Sequence, residues 1–523
     1  MAVEAHSATP ERRDAADGDQ TSSHHPPAPY DELFDVSTTV DPSYIISLIR
    51  RLLPPNEKCS SESGQGNDSC HASGEAILDG ATEYNDMDTA DYCGQQCQPD
   101  EINEDVTREA AKKGDSKVWE ESGCVLWDLS ATKTHAEFMV QNLVLEVLLA
   151  NLTVPNTDRV KEICLGIIGN LSCHDLPRKQ IVYTKGLVDM IVDQLFSDDT
   201  PCLCEVCRVI TWGLQGTDSG TWAEALQSEN ILTRLLWIIE NALNLQLIEK
   251  SVQFLLTIIE SPQEEVSILL PPLIKLGMPN LLIKMLNFEM NILRNEHASE
   301  RYSVLELILS TIEALSVIDD HSQELSSSEE LVHLLCSLIK FPEKFEVANC
   351  CVSAAVLIAN ILSDKVDVAS ELSTDLSFIQ GLLDIFPYAS NDLQASSALW
   401  TVLARILLKV EESKMSLTRL HQYVSLLVSN TDHIEDGLLD SQSAGSPHLE
   451  TSISSFKPSA KTISLNKIIT ILNYWTAAEE EKPDAGEDSN HVSAEINLAS
   501  GVCNLNKENI NRLLECCRKF AKQ

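Results

Sequence analysis

Cys202-Leu-Cys204-Glu-Val-Cys207 is the stretch with the clearest chemical potential, because closely spaced thiolates hold zinc tetrahedrally, and Cys93 with Cys97 could in principle complete a site. The spacing lacks the paired Cys-x-x-Cys signature of a structural zinc site. Cys173-His174-Asp175 carries the residue types of a nucleophile, a base and an orienting acid. Neighbours in sequence do not aim at one another as triad members must, so these three read as a helix end and a loop. No nucleophile elbow, phosphate loop or paired metal ligands occur elsewhere. A cysteine- or zinc-dependent hydrolase or metal-binding protein is therefore the alternative reading; the main one has no catalytic residue, metal or cofactor.

The elements that would position these cysteines form a repeat. Lys161 to Leu171 returns in altered form at Cys204 to Leu214, matching Glu162 with Glu205, Cys164 with Cys207, Ile167 with Ile210 and Leu171 with Leu214. This offset of 43 residues falls in the range of about 40–47 expected for armadillo or HEAT units. Cys207 thus occupies the place of Cys164, a packing position. Ile163, Ile167 and Leu171 recur at i, i+4 and i+8, with Cys164 and Ile168 widening the apolar stripe, which predicts a helix buried on most sides. Gly166 and Gly169 lower helix propensity and are expected to admit a neighbour closely.

A chain of 523 residues exceeds the roughly 250–300 over which one core keeps growing, so a stack of repeats is the economical architecture. Lys and Arg total 38 against 79 Asp and Glu, and a net charge of −41 opposes long contact with phosphate backbones, so no nucleic-acid partner is expected. No apolar run reaches the roughly 18 residues that span a bilayer, and the polar start is no signal peptide. An intracellular protein with its sixteen cysteines reduced is expected, without a membrane or small-molecule partner.

In chain order, residues 1–117 form an acidic tail with 24 acids and 9 bases, expected to be disordered apart from a short helix over 42–53 that needs a dock. Order is expected from Val118, with Ser130 as a cap before Leu143 to Leu152. Arg178 to Gly186 and Leu187 to Phe196 read as the first two helices of a unit. Equivalent orders follow at Trp222 to Glu260, Pro272 to Val317, Glu329 to Leu362 and Ile379 to Val410. A last unit from Leu417 is interrupted by a polar, disordered insert at 432–459. The reading is an all-α, armadillo/HEAT-like right-handed superhelical solenoid of about seven units over 118–476, then an acidic linker over 477–506 and a C-terminal helix over 507–523.

Glu121-Ser-Gly-Cys124-Val-Leu-Trp127-Asp128, followed by Lys161-Glu-Ile-Cys164-Leu-Gly-Ile-Ile-Gly169-Asn170, resembles the two most recognisable blocks of the serum-amyloid-A-like family of armadillo-type proteins. The specific likeness covers roughly residues 120–215. It implies a non-enzymatic protein, nuclear or nucleocytoplasmic, in a family linked in animals to cell proliferation. A longer tail and the 432–459 insert set the chain apart from animal members, as in a plant-type or otherwise divergent one.

An interaction scaffold is the functional expectation, with third helices of successive units lining a groove for a protein partner. Peptide-reading armadillo arrays use a ladder of Asn, each preceded four residues earlier by Trp. Here Asn170 and Asn360 hold the ladder position but follow Gly166 and Val356, and Gly213 and Arg405 replace Asn in other units, so generic backbone reading is disfavoured. Trp212, Arg208, Arg405 and Trp400 join the two Asn as candidate partner contacts, because Trp and Arg are over-represented among binding hot spots. Arg208, Arg405 and Lys161 could also attract the acidic tail in cis.

Overall fold

The computed structural model describes residues 40–54, 104–296, 298–318, 325–439, 458–480 and 507–522. Every regular element among them is helical. The expectations for the remaining tail, the linkers and residues 440–457 lie outside the described residues.

Helix α1 (Pro42–Arg51) precedes a long helix α2 (Glu104–Ser130). Three-helix groups follow: α3 (Lys133–Gln141), α4 (Val144–Thr153) and α5 (Asp158–Ser172); α6 (Asp175–Tyr183), α7 (Leu187–Asp193) and α8 (Thr200–Leu214); α9 (Ser219–Leu226), α10 (Glu229–Asn241) and α11 (Leu245–Glu260); α12 (Gln263–Lys275), α13 (Met278–Glu296) and α14 (Tyr302–Ser316). The next group contributes α15 (Glu329–Ile339) and α16 (Ala348–Asp364). Then come α17 (Val366–Leu372), α18 (Leu376–Leu383) and α19 (Leu393–Leu407), and finally α20 (Leu417–Ser429), α21 (Thr431–Leu439) and α22 (Ala460–Glu480), closed by α23 (Lys507–Phe520).

The third helix of each group packs on the third helix before it, so that α2, α5, α8, α11, α14, α16, α19 and α22 form one continuous ladder. Hydrogen bonds between side chains and the preceding unit keep this period: Asn170 to the Trp127 carbonyl spans 43 residues, Asn349 to Glu306 spans 43, and Tyr302 to Glu346 spans 44. The repeat read at 161 and 204 therefore runs through the whole array, an all-α solenoid of armadillo type.

Local chemistry sets the helix starts. Thr157, Asp199, Asn244, Ser328, Asp375 and Ser416 each accept a backbone N–H three residues on, as N-caps do. The turn between first and second helices demands a left-handed residue: Gly186 has φ 80° and Gly277 φ 92°, and Leu143, 43 residues before Gly186, is forced to φ 64°.

Several boundaries differ from the sequence reading. Helix α2 begins at Glu104, not Val118. Ser130 ends α2 instead of capping a following helix, its hydroxyl donating to the Trp127 carbonyl at 2.6 Å. Pro271 and Pro272 lie inside α12, which starts at Gln263. Residues 431–439, at the head of the polar insert, form a helix that buries Ile434 and Leu438 on the array, so apolar spacing there outweighs the acidic neighbours.

Candidate functional site

The six candidate contacts divide by what their polar atoms already do. Asn170 donates to the Trp127 carbonyl at 2.8 Å and accepts from Arg208 at 3.0 Å. Arg208 reaches back from α8 to the Gly166 carbonyl at 3.0 Å and pairs with Glu205 through Nε at 2.8 Å. Asn360 donates to the Ser316 hydroxyl at 3.0 Å, and Arg405 to the Ala359 carbonyl at 2.9 Å and the Ser363 hydroxyl at 3.0 Å. These four are struts between consecutive third helices. Trp400 is a core residue, 3% exposed and edge-on to Phe386 at 4.9 Å, because its position on α19 faces inward; as a partner contact it is a correction. Trp212 alone of the six is a partly buried side chain without such a role.

Gly166 and Gly169 make this packing feasible. A Cβ on Gly166 would lie 2.2 Å from the Trp127 ring, and one on Gly169 would lie 2.3 Å from the Arg208 guanidinium. Gly213 does the same for Trp222, at 2.4 Å. The sequence pointed to close approach; the neighbours prove to be an aromatic ring and a guanidinium from adjacent helices.

The thiols follow the packing reading. Cys202, Cys204 and Cys207 are all buried on α8, and burial pushes Cys204 up to about 11 and Cys207 up to about 12, away from thiolate. Among the described residues no three His, Cys, Asp or Glu side chains converge as a metal would need; Cys93 and Cys97 lie outside them. At the α5–α6 corner the Asp175 carboxylate pairs with Arg178 at 2.5 Å, and the Cys173 thiol donates to the Gly169 carbonyl at 3.3 Å, so neither is aligned with His174.

The solvent-reaching positions of the central third helices form an acidic field. Helices α11, α14 and α16 carry Glu249, Glu260, Glu306, Glu313 and Asp364 against the single base Lys250. None of these carboxylates has a cation within ion-pair distance among the described residues, and partial burial raises the Glu313 carboxyl above its ordinary range while a Ser353 hydrogen bond counters it. Arg208 pairs with Glu205 and Lys161 with Asp158 at 3.2 Å, so of the three cations that in-cis capture of the acidic tail would use, Arg405 alone has neutral acceptors only among the described residues. Sequence reasoning missed Trp237 on the second-helix side, 49% exposed with the Arg234 guanidinium 4.4 Å from its ring centre; an Arg and Trp three residues apart was the available signal.

Fold and repeat period together define an armadillo-type helical-repeat protein. Its sequence relatives are the serum-amyloid-A-like proteins, as the blocks at 121–128 and 161–170 indicated. The chain is 23% identical over 243 residues to Protein saal1 of Danio rerio, covering 45% of this chain and 49% of that one. It is 28% identical over 155 residues to Protein saal1 of Xenopus tropicalis, covering 28% and 34%, and 27% identical over 129 residues to Protein SAAL1 of Homo sapiens, covering 24% and 27%. These matches span about half of the curated relatives or less. No family model matches the chain. Among solved structures, an engineered protein aligns with TM-score 0.46 at 15% identity, covering 78% of this chain and 86% of its own. A designed armadillo repeat protein in complex with the peptide (KR)4 aligns with TM-score 0.37 at 15% identity, covering 46% and 92%.

Proposed function

We propose that this protein is a non-enzymatic interaction scaffold whose third-helix face, from α11 to α16, receives a basic segment of a protein partner. One observation carries the reading: five carboxylates and one lysine stand on three consecutive ladder helices, with no cation within ion-pair distance of those carboxylates among the described residues. Such a field steers and holds a cationic chain and repels phosphate-rich ligands. The engagement of Asn170 and Asn360 within the array favours recognition through side-chain charge over a backbone-reading ladder. Likeness to the serum-amyloid-A-like proteins supports a nuclear and cytoplasmic location and a proliferation-related role, which a fluorescent fusion of the full chain would examine.

The test is affinity purification with mass spectrometry, using the full chain and a Glu249→Lys/Glu306→Lys/Asp364→Lys variant as baits. Partners lost from the variant and eluted from the native bait by rising salt are expected. Identical partner sets would overturn the reading. A screen of purified protein against generic ester, phosphate and peptide substrates, with and without zinc, should give no turnover, and reproducible turnover would favour the hydrolase alternative.

A further inference from the structure

Helix α1 is a separate piece of structure: 52 residues, 52–103, lie between it and α2. It nevertheless buries one full face on α2 and α3, with Ile45 and Leu48 each 1% exposed, Ile49 4% and Leu52 0%. Those positions are i, i+3, i+4 and i+7, the pattern by which amphipathic helices fill grooves. The seat also carries polar specificity. The carbonyl of Leu52, left free where the helix ends, accepts from Trp119 Nε1 at 3.2 Å and from Asn151 Nδ2 at 2.7 Å, and Asn151 is only 3% exposed. Its own start is capped by Asp41, which accepts from the Ser43 N–H at 2.8 Å. Tyr44, Arg50 and Arg51 face solvent.

We propose that the α2–α3 edge is a helix-receiving groove, that α1 is its in-cis ligand, and that the groove accepts the same kind of ligand in trans. The partner chemistry is defined by the seat: a short helix of another protein with apolar residues at i, i+3, i+4 and i+7 and an unpaired carbonyl at its C-terminal end, where Trp119 and Asn151 donate. This surface is independent of the acidic ladder face. Covalent attachment gives a docked segment an effective concentration of millimolar order for short links, falling roughly as the −3/2 power of length, so across 52 residues about 1 mM is an upper bound. A helix binding with a Kd on the order of 10 µM as a free peptide would then be docked almost always in cis, yet remain exchangeable.

The probe is a fluorescent peptide of residues 40–54, titrated into the full chain and into a full-length Leu48→Asp/Leu52→Asp variant whose own helix cannot dock. The variant should bind with a Kd of about 10 µM and the native chain about 10- to 100-fold more weakly, because its own α1 competes. A peptide carrying Leu48→Asp should bind neither. Failure of the native peptide to bind a variant that retains its helical circular dichroism would overturn the proposal. Should the variant not fold, a protease site inserted after Gly80 in the native chain replaces it. After cleavage the N-terminal fragment should co-elute with the body at 100 µM or so and separate near 1 µM, as a ligand of roughly 10 µM affinity does. A fragment that never separates would overturn exchangeability. Concentration-dependent dimers abolished by Leu48→Asp would assign the groove to the α1 of a second copy, and so overturn the partner reading.

Discussion

Arg208 and Arg405 occupy the same architectural role at opposite ends of the ladder, and their surroundings differ. Each reaches from one third helix to a carbonyl of the preceding one, Gly166 for Arg208 and Ala359 for Arg405. Arg208 brings its own counter-charge, Glu205, three residues before it on α8, and Asn170 completes a closed network. Arg405 has neutral acceptors only, and burial pushes its guanidinium below its ordinary pKa, with Asp364 opposing at longer range. The early junction is thus internally neutral, whereas later ones hold unpaired charge. Unpaired charge is what a partner can still use.

The largest expected effect breaks the early junction sterically. Gly166→Leu places its Cβ where the Trp127 ring lies, 2.2 Å away, and the ring cannot yield without displacing α2. A loss of about 3 kcal/mol is expected, at the upper end for overpacking a close-packed interior, and would appear in denaturant or thermal melts of the full chain. Gly169→Leu meets a guanidinium instead of a ring. A side chain of that length can shift, so a smaller loss, above about 1 kcal/mol, is expected.

The electrostatic difference between the junctions is exposed by deleting each arginine. Arg208→Ala strands the Glu205 carboxylate, only 14% exposed, and should cost about 2–3 kcal/mol. Arg405→Met strands no charged partner, since the Ala359 carbonyl and Ser363 hydroxyl it leaves are neutral, and removes an unpaired guanidinium, so a change within about 1 kcal/mol is expected. Equal losses in paired melts would mean that the two struts work alike and would erase the comparison.

Much of the array was legible because one pattern served both folding and repetition: the apolar positions that bury Ile163 and Ile210 are the positions that align at an offset of 43. The start of α2 was not legible, since residues 104–117 are polar and charged and reveal helix only through propensity. Site residues were less readable still. Asn170 and Arg208 are the right residue types for a partner contact, and nothing in their identity tells whether their donors meet solvent or the next helix. Leu143 illustrates a third case. Its leucine hides a turn that Gly186 and Gly277 advertise, so Leu143→Gly should stabilise by about 1 kcal/mol through relief of left-handed strain, given that the leucine side chain is 61% exposed. A lower melting temperature would show that the exposed leucine contributes more than the strain it carries.

The smallest effect concerns Glu313, at the α14–α16 junction, and sharpens the idea that later junctions carry unpaired charge. Desolvation is the leading influence on its carboxyl and raises its pKa, with the Ser353 hydroxyl opposing and Asp392 adding repulsion. A carboxylate whose folded pKa lies above its unfolded value is destabilising once ionised, so the penalty is fully present well above the folded pKa. It fades as pH falls through the raised value toward the ordinary carboxylate range, where both folded and unfolded forms are protonated. Glu313→Gln should therefore raise the melting temperature at neutral pH by on the order of 1 °C, with the gain shrinking as pH falls into that range. A bound cationic segment reverses the balance, because a neighbouring positive charge favours the ionised form. In the presence of the basic partner, Glu313→Gln is expected to weaken binding and so lose its stabilising advantage; an unchanged gain with partner bound would place the binding surface away from this junction.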